Sequence, residues 1–310
     1  MIMSQYEKTV SVYQSKNIQT ISQFESILDN FKILFAYNSG KIENEEITYH
    51  DTREVFEKGK VLNFTGDPKV IFEIENQKKA YDYLKLKIID KVPLSIDLIK
   101  ETHRVLTEGT YDYRRFVEQG ERPGEFKKHD YVTGIHEVGS SVEAVEDDLK
   151  EILEVMQDFK ETEPLKAATY FHLHLEAIHP FADGNGRVGR TLMNYFLMTH
   201  NHPPIIIYDE DKKYYYAALQ SFDEEENYLS MYEFLKYQTE KTWEKSFQLQ
   251  KVQEKDPLLS WLSQFELSKG RPLTEIEREL AADLFHSQNN MKQSSQKHPS
   301  AAKDDFDLEL

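Results

Sequence analysis

One run of twelve residues, from His179 to Arg190, limits what this chain can fold into. It reads His-Pro-Phe-Ala-Asp-Gly-Asn-Gly-Arg-Val-Gly-Arg. A helix that begins at Pro164 should end at about His179, because Pro180 cannot continue it. Gly184 and Gly186 allow backbone angles that most residues resist, and Asn185 tolerates a left-handed conformation too. The run therefore predicts a tight loop between two helices.

The second of these helices should present its N-terminus to the loop. Apolar residues recur at helical spacing over 188–198, which predicts a helix there. Free N–H groups at its start and a glycine-rich nest both attract anions. Arg187, Arg190 and Asn194 have the spacing of one helix face and lean back toward the loop. Two arginines beside a nest suit more than one phosphate group.

Three further residues of the run have chemistry that suits a phosphate site. Asp183 offers the hard oxygen that Mg²⁺ prefers. His179 has the pKa of a base that works near neutral pH. Phe181 is expected to anchor the loop in the core. Each is commonly structural when it occurs alone, but their combination predicts a site that moves a nucleotide phosphate.

The run resembles the signature of the Fic family, His-x-Phe-x-Asp/Glu-Gly-Asn-Gly-Arg-x-x-Arg, at every specified position. The resemblance extends over roughly residues 20–245 and includes several flanking positions. These are Ala167, Ala168, His172, Ile178, the stretch 203–205, and Tyr214 and Tyr215 at the start of a further helix. It implies an all-α fold, a Fic-type helical bundle with a small β-hairpin flap.

The resemblance also implies an activity. Fic proteins of this kind transfer AMP from ATP to a Ser, Thr or Tyr hydroxyl of a target protein, or of the enzyme itself, and release pyrophosphate. His179 would be the base, and Asp183 would hold Mg²⁺. Nucleotide-binding roles are implied for Phe181, Gly184, Asn185, Gly186, Arg187, Arg190, Asn194, Tyr214 and Tyr215. Gly186 stands where a kinase-like relative has Lys, which favours AMP transfer, although UMP or GMP transfer stays open.

A second motif lies upstream, where Ser39 precedes Glu43 by four residues and Asn44 follows. It resembles the Fic inhibitory motif, Ser/Thr-x-x-x-Glu-Gly/Asn. In such proteins a helix places the glutamate against the second arginine of the signature, here Arg190, and excludes the γ-phosphate. The pattern alone would equally suit a solvated acidic turn. Beside the signature, it predicts an enzyme that is largely off when free.

A third segment, from Gly124 to Gly134, has glycine at both ends and aromatic residues between. It predicts a short β-hairpin or an extended loop. The resemblance implies a flap that docks the target backbone by strand addition, through Phe126, Lys127, Val132 and Thr133. An ordinary surface hairpin fits this sequence equally well.

Composition bounds the remaining possibilities. With 38 basic and 55 acidic residues the net charge is −17, which disfavours binding to a nucleic-acid backbone. The sequence has no apolar run long enough to span a membrane and no signal-like start. It has no cysteine, hence no disulfide framework or thiolate metal site. A cytoplasmic location is therefore expected.

Helical periodicity recurs over 18–35, 72–86, 96–106 and 142–159, which predicts a compact helical bundle. We expect an N-terminal helical region over 1–100 that carries the inhibitory motif, and a catalytic core over 101–245. A helical appendage is expected over 251–286. The polar segment 287–310 has the composition of a disordered tail.

Several alternatives stay open from the sequence. One is the reverse enzyme, a phosphodiesterase that removes AMP and uses Glu43 to position water. Another is a nucleotide-binding regulator without turnover, against which the intact His179 argues. A metal hydrolase built from His172, His174, His179 and Asp183 is least favoured, since residues two apart on a helix point in different directions. The target protein is not identified, and a homodimer is possible.

Overall fold

The computed structural model describes residues 3–62, 64–131, 139–159 and 162–255, and a few positions between 262 and 285. Side chains of the last helix are described as far as Glu244. Ten α-helices lie in this part of the chain. They are α1 (Gln5–Ser15), α2 (Ile21–Glu43), α3 (Tyr49–Lys58), α4 (Pro68–Ile89), α5 (Ile96–Thr107), α6 (Val145–Val155), α7 (Pro164–Ile178), α8 (Asn185–Thr199), α9 (Lys212–Glu225) and α10 (Tyr228–Lys255).

The predicted all-α class is confirmed, but the predicted β-hairpin is not supported. None of the described residues belongs to a strand, and the stretch from Gly124 to Tyr131 consists of turns, bends and irregular backbone. Val132 and Thr133 lie outside the described residues. A π-helical turn at Arg114–Glu118 and 3₁₀ turns at Met156–Asp158 and Asp209–Asp211 complete the helical elements.

Local sequence explains where the helices around the site begin. Thr20 and Gln23 form a capping box at the start of α2, which satisfies backbone donors that a helix leaves unpaired. Ser95 caps α5 by accepting from the N–H of Leu98. Pro68 and Pro164 occupy the first positions of α4 and α7, where the missing N–H of proline costs nothing.

Packing of these helices brings the two sequence motifs together. Helices α7 and α8 pack against each other, and α2 packs on both α4 and α8. A core cluster lies around α7, α8 and α9 and includes Leu173, Met193, Leu197, Ile205, Tyr215 and Leu235. Because α2 lies on α8, its C-terminal end meets the start of α8. The motif at Ser39–Glu43, for which inhibition is predicted, therefore lies beside the glycine loop.

The chain divides into two compact units, Met1–Trp243 and Glu244–Leu310. In the second unit, Thr274 and Glu277 form reciprocal capping bonds, with Thr274 N donating to Glu277 Oε2 at 3.0 Å and Glu277 N to Thr274 Oγ1 at 3.3 Å. Residues 277–278 are helical, and the helical appendage expected over 251–286 stays a prediction. The predicted tail, 287–310, lies outside the described residues. Within the described part of the chain, no helix has the length and apolarity that a membrane span requires.

Candidate active site

Left-handed residues mark the two ends of the loop. His179 has φ 51° and ψ 61° and ends α7, its N–H donating to Leu175 O at 3.0 Å. Gly184 has φ 86° and precedes the first residue of α8. A Cβ atom at Gly184 would lie 2.6 Å from Thr107 Cγ2, so this position needs glycine for both conformation and space. The sharp reversal places His179 beside the start of α8.

Asn185 holds the loop in shape through the backbone of Phe181. The N–H of Phe181 donates to Asn185 Oδ1 at 2.9 Å, and Asn185 Nδ2 donates to Phe181 O at 2.8 Å. Phe181 is fully buried, and its ring stacks on that of His103 with centroids 3.7 Å apart. Phe181 is therefore the core anchor that the sequence suggested, and Asn185 ties that anchor to α8.

His103, on α5, supports the loop and was not singled out in the sequence. Its Nδ1 accepts from the N–H of Gly124 at 2.8 Å, so its Nε2 carries the hydrogen that reaches Asp183 O at 3.0 Å. Burial lowers the pKa of His103 to about 3, which keeps the ring neutral. The only signal in the sequence was its position on an apolar helix face, where a hydrogen-bonded core histidine is common.

The strongest contact at the site joins Arg190 to the upstream motif. Arg190 is 1 % exposed. Its Nη2 donates to Glu43 Oε1 at 2.6 Å and to Ser39 O at 3.0 Å, and its Nε donates to Ser39 Oγ at 3.1 Å. Although burial opposes the charged form, Glu43 raises the pKa of Arg190 above its usual value. Ser39 and Glu43, the two residues that define the motif, thus both accept hydrogen bonds from the guanidinium.

The carboxylate of Glu43 also covers the glycine loop. A Cβ atom at Gly186 would lie 2.3 Å from Glu43 Oε1 and 2.8 Å from Arg190 Nη1. The carboxylate therefore lies directly over the first turn of α8, where the N-terminal N–H groups attract an anion. A phosphate group and this carboxylate cannot both occupy that position.

Arg187 lies between two carboxylates. Its Nη1 is 3.4 Å from Glu73 Oε1 on α4, and its Nη2 is 3.6 Å from Asp183 Oδ1. Among the described residues, no group of three or more His, Cys, Asp or Glu side chains is arranged to hold a metal ion. The side chain of Asp183 is 26 % exposed. One accessible carboxylate suits Mg²⁺ when nucleotide phosphates and water supply its other ligands.

The metal hydrolase alternative finds no support in the described residues. His172 is buried with Nε2 2.9 Å from the Tyr215 hydroxyl. The ring of His174 lies 4.1 Å from that of Tyr170, between centroids. The two imidazoles therefore have separate aromatic partners.

His179 lies in a half-buried position next to the segment predicted as a flap. Burial, followed by the nearby charge of Lys127, lowers the pKa of His179 to about 4. Lys127 itself is buried, and its backbone N–H donates to Pro180 O at 2.9 Å. The ring of Phe126 lies 5.7 Å from that of Phe181. Both described members of the predicted flap thus adjoin the loop.

Two tyrosines that were grouped in the sequence have different environments. Tyr214 is exposed, whereas Tyr215 is buried with its ring 5.8 Å from Arg190 Cζ. Tyr215 therefore lies behind the arginine, where it supports the guanidinium. Tyr216, not singled out before, has a pKa raised by burial and then by Glu43, which places it on the same side as the motif.

Asn194 uses both ends of its amide on a neighbouring chain segment. Its Nδ2 donates to Ile205 O at 2.8 Å, and its Oδ1 accepts from Ile205 N at 2.7 Å. The predicted shared face with the arginines follows from helical spacing. The side chain nevertheless holds the segment after α8, and its polar atoms point at that backbone.

Asn194→Ala is therefore expected to destabilise the protein by about 2–4 kcal/mol, because two buried backbone groups of Ile205 lose their partners. ATP affinity of the folded variant should stay within about twofold of the wild type. Urea unfolding and calorimetric titration measure these two quantities. Asn30→Ala, at an exposed position of α2, is the control. Weakened ATP binding with unchanged stability would assign Asn194 to the nucleotide instead.

Comparison with known proteins agrees with this geometry. A sequence model of the Fic/DOC family matches residues 93–197. Residues 93–197 form a Fic domain. The match includes the whole loop and the helices on both sides of it, α7 and most of α8. Helix α2, with Glu43, lies outside the matched region.

Curated relatives of the Fic domain have informative names. "Protein adenylyltransferase Fic" of Drosophila willistoni is 31 % identical over 178 residues, which are 54 % of this chain and 32 % of that protein. The protein of the same name from Drosophila melanogaster is 30 % identical over 178 residues, 54 % of this chain and 33 % of its own length. The chain thus spans about a third of the length of these relatives.

Solved structures share the fold at lower identity. A Fic domain containing signaling protein from Bacteroides thetaiotaomicron superposes with a TM-score of 0.67 at 22 % identity, over 88 % of this chain and 99 % of that one. A fragment of Fic-1 from C. elegans gives a TM-score of 0.65 at 23 % identity, over 80 % and 72 % of the two chains. The likeness extends well beyond residues 93–197 and includes most of the helical fold.

Proposed function

We propose that this chain is a self-inhibited protein adenylyltransferase that transfers AMP from ATP to a Ser, Thr or Tyr hydroxyl. The observation that supports it best is the loop itself. An intact His179 stands beside a glycine-rich helix start, with Arg187 and Arg190 held in fixed positions behind it. The relatives named adenylyltransferases support AMP as the transferred group.

In the proposed reaction His179 accepts the proton of the target hydroxyl. The hydroxyl oxygen attacks the α-phosphorus of ATP, the bond from that phosphorus to the oxygen bridging to the β-phosphate breaks, and pyrophosphate leaves. The loop N–H groups, Arg187 and Arg190 bind the phosphates and oppose the charge that develops. Asp183 would hold Mg²⁺, which supplies further positive charge to the phosphates when bound.

The burial of His179 suits this role. Because its pKa is lowered to about 4, the imidazole is neutral and able to accept a proton throughout the physiological pH range. The histidine needs no change of protonation before it acts.

Self-inhibition is proposed from the position of Glu43. Its carboxylate takes the Nη2 donor of Arg190 and lies over Gly186, so it competes with ATP for both the charge and the space. The competing contact must break before Arg190 can bind a phosphate. The free protein is then mostly in an inactive arrangement.

Target binding is proposed for the segment around Phe126 and Lys127. Both residues adjoin the loop through Phe181 and Pro180, so a target segment paired with this stretch would bring its hydroxyl toward His179. The same proposal gives Val132 and Thr133 a role in binding the target. It also includes self-modification, a homodimer that steadies the inhibitory helix, and a cytoplasmic location, where ATP is supplied.

Removal of AMP from a modified protein is a second candidate. Only Oε1 of Glu43 is bonded to Arg190, and the Glu43 side chain is 36 % exposed. A carboxylate in that position can orient a water molecule for attack on phosphorus. The two activities respond oppositely to loss of Glu43, since transfer rises and removal fails.

Label transfer with ATP labelled on the α- or the γ-phosphate tests the proposal. Wild type, Glu43→Gly, and Glu43→Gly with His179→Ala are compared with Mg²⁺ present, each alone and in a cell lysate. If the protein is an adenylyltransferase, only the α-label will be transferred to protein. The amount transferred should increase in Glu43→Gly and be lost when His179→Ala is added. Label from the γ-position would indicate a kinase. No label in any variant, with release of AMP from a modified protein by the wild type, would favour the second candidate.

A further inference from the structure

Glu73 connects the two motifs, although neither contains it. It lies on α4 and is only 5 % exposed. Its Oε1 is 3.4 Å from Arg187 Nη1, and its Oε2 accepts from Asn44 Nδ2 at 2.8 Å. Lys69, one turn earlier on α4, has Nζ 3.8 Å from Oε1 and a side chain 40 % exposed. One buried carboxylate thus contacts both the glycine loop and the end of α2.

Such a carboxylate is costly unless it is well paired. A buried charge requires an opposite charge and hydrogen bonds to offset its lost hydration. Arg187 and Asn44 supply both, and Lys69 adds a more distant positive charge. Arg187 and Asn44 contact different oxygens of this carboxylate, so each contact can be removed while the other partner stays in place.

The first contact orients Arg187. Its guanidinium is buried, with Glu73 and Asp183 on two of its nitrogens. Nε of Arg187 makes no hydrogen bond within the described part of the chain. The pairing with Glu73 fixes the plane of the guanidinium and leaves donor capacity for a phosphate oxygen. An arginine fixed in advance loses less entropy when it binds.

The second contact fixes the position of Glu43. Asn44 follows it directly and is the residue at which the chain leaves the helix, with φ −137° and ψ 105°. The backbone N–H of Asn44 still donates to Gly40 O at 2.9 Å. Its side chain is tied to Glu73, so the last turn of α2 cannot move from the loop without breaking that bond.

We propose that Glu73 is a positioning residue with two separable effects, orienting Arg187 for a nucleotide phosphate and holding Glu43 over the loop through Asn44. The second effect rests on the proposed inhibitory role of Glu43. The first requires only that Arg187 binds phosphate. Loss of the Arg187 contact should therefore weaken ATP binding, whereas loss of the Asn44 contact should release inhibition.

Two substitutions separate these effects. Glu73→Gln keeps a side-chain oxygen for Asn44 and removes the negative charge beside Arg187. Asn44→Asp keeps the Oδ1 that accepts from Glu46 N at 3.0 Å but replaces the donor to Glu73 with a second acidic oxygen. Asn44→Ala removes the same donor without adding charge and is measured alongside. Glu75→Gln is the matched control, because Glu75 also lies on α4 but its side chain is 33 % exposed and 3.9 Å from Lys79 Nζ.

The two substitutions should have opposite effects on the enzyme, because one weakens ATP binding and the other releases inhibition. In the Glu43→Gly background, Glu73→Gln should raise the KM for ATP about five- to tenfold with kcat within about twofold. In the wild-type background, Asn44→Asp should raise basal AMP transfer at least about fivefold, and it should add nothing once Glu43 is glycine. Asn44→Ala should act in the same direction, and Glu75→Gln should change neither quantity.

Other outcomes would overturn the proposal. An unchanged or lower KM in Glu73→Gln means that Glu73 does not orient Arg187. An effect of Asn44→Asp that persists without Glu43 means that the bond does not act through Glu43. Calorimetric titration with a non-hydrolysable ATP analogue gives a readout without turnover: Asn44→Asp should bind it more tightly than wild type, even if the reaction is not AMP transfer. Thermal unfolding confirms that each variant is folded.

Discussion

Replacing Glu43 with glycine should raise AMP transfer by about ten- to a hundredfold. The contact that it removes is a 2.6 Å bond between a carboxylate and a buried guanidinium. A hydrogen bond between charged groups contributes about 1.5–3 kcal/mol, and about 1.4 kcal/mol corresponds to a tenfold change in binding. The substitution also clears the space over Gly186. Initial rates of α-label transfer at ATP concentrations below KM measure the effect.

Two companion variants show which property of Glu43 matters. Glu43→Gln keeps the size of the side chain but not its charge, so it should release less activity if occupation of the loop contributes to inhibition. Glu45→Gly provides the control for the loss of a nearby acid. Its carboxylate is exposed and paired with Lys212 at 3.2 Å, a surface contact worth little. If Glu43→Gly leaves both the rate of AMP transfer and the ATP affinity unchanged, Glu43 is not inhibitory.

The loop could be predicted because its constraints are local in the sequence. Pro164 and Pro180 bracket α7, and Gly184 supplies the left-handed residue that starts α8. Helix α8 begins at Asn185, three residues before the predicted range. The left-handed conformation of Gly184 reverses the chain, so that the next residue can already be helical. The pairing of Glu43 with Arg190 was anticipated only through the family resemblance, since no spacing rule relates residues so far apart.

Other parts of the site depend on packing that a single sequence does not reveal. Periodicity places His103 and Glu73 on helices but does not indicate that α4 and α5 bring them to the loop. Asn194 shows the converse, because its helical spacing matches that of the arginines while its amide bonds to Ile205. Helix α8 is buried on nearly every side, so a shared face does not imply a shared partner. The flap could not be placed from its glycines, since Gly124 lies in a turn, no described residue belongs to a strand, and Gly134 lies outside the described residues.

Replacing His179 with alanine in the Glu43→Gly background should lower AMP transfer by about 10²- to 10⁴-fold, the range for loss of a general base. ATP affinity should change little, since in the proposed reaction the imidazole contacts the hydroxyl. Calorimetric titration with a non-hydrolysable analogue separates this outcome from a damaged nucleotide site. Residual transfer above about a tenth of the parent rate would assign the base to another group.

The pH dependence tests the same residue independently. A histidine base is active when it is neutral, so activity is lost as pH falls through its pKa. Burial and Lys127 lower the pKa of His179 to about 4, whereas an unperturbed histidine titrates at about 6.5. In Glu43→Gly, kcat/KM should therefore lose none of its His179-dependent activity between pH 8 and about 6.

Glu176 is a neighbouring group that titrates in the same pH range as an ordinary histidine but changes activity in the opposite direction. Burial raises its pKa to about 7, and it lies close enough to Arg190 for each to affect the other's charge. Above that pH its negative charge competes with phosphate for the guanidinium, so a loss of activity as pH rises through about 7 would come from Glu176. Glu176→Gln removes this titration and leaves His179 unchanged. A loss of activity as pH falls through about 6.5 that survives in Glu176→Gln would contradict the lowered pKa of His179, because it would mean that the base is as hydrated as a surface imidazole when it reacts.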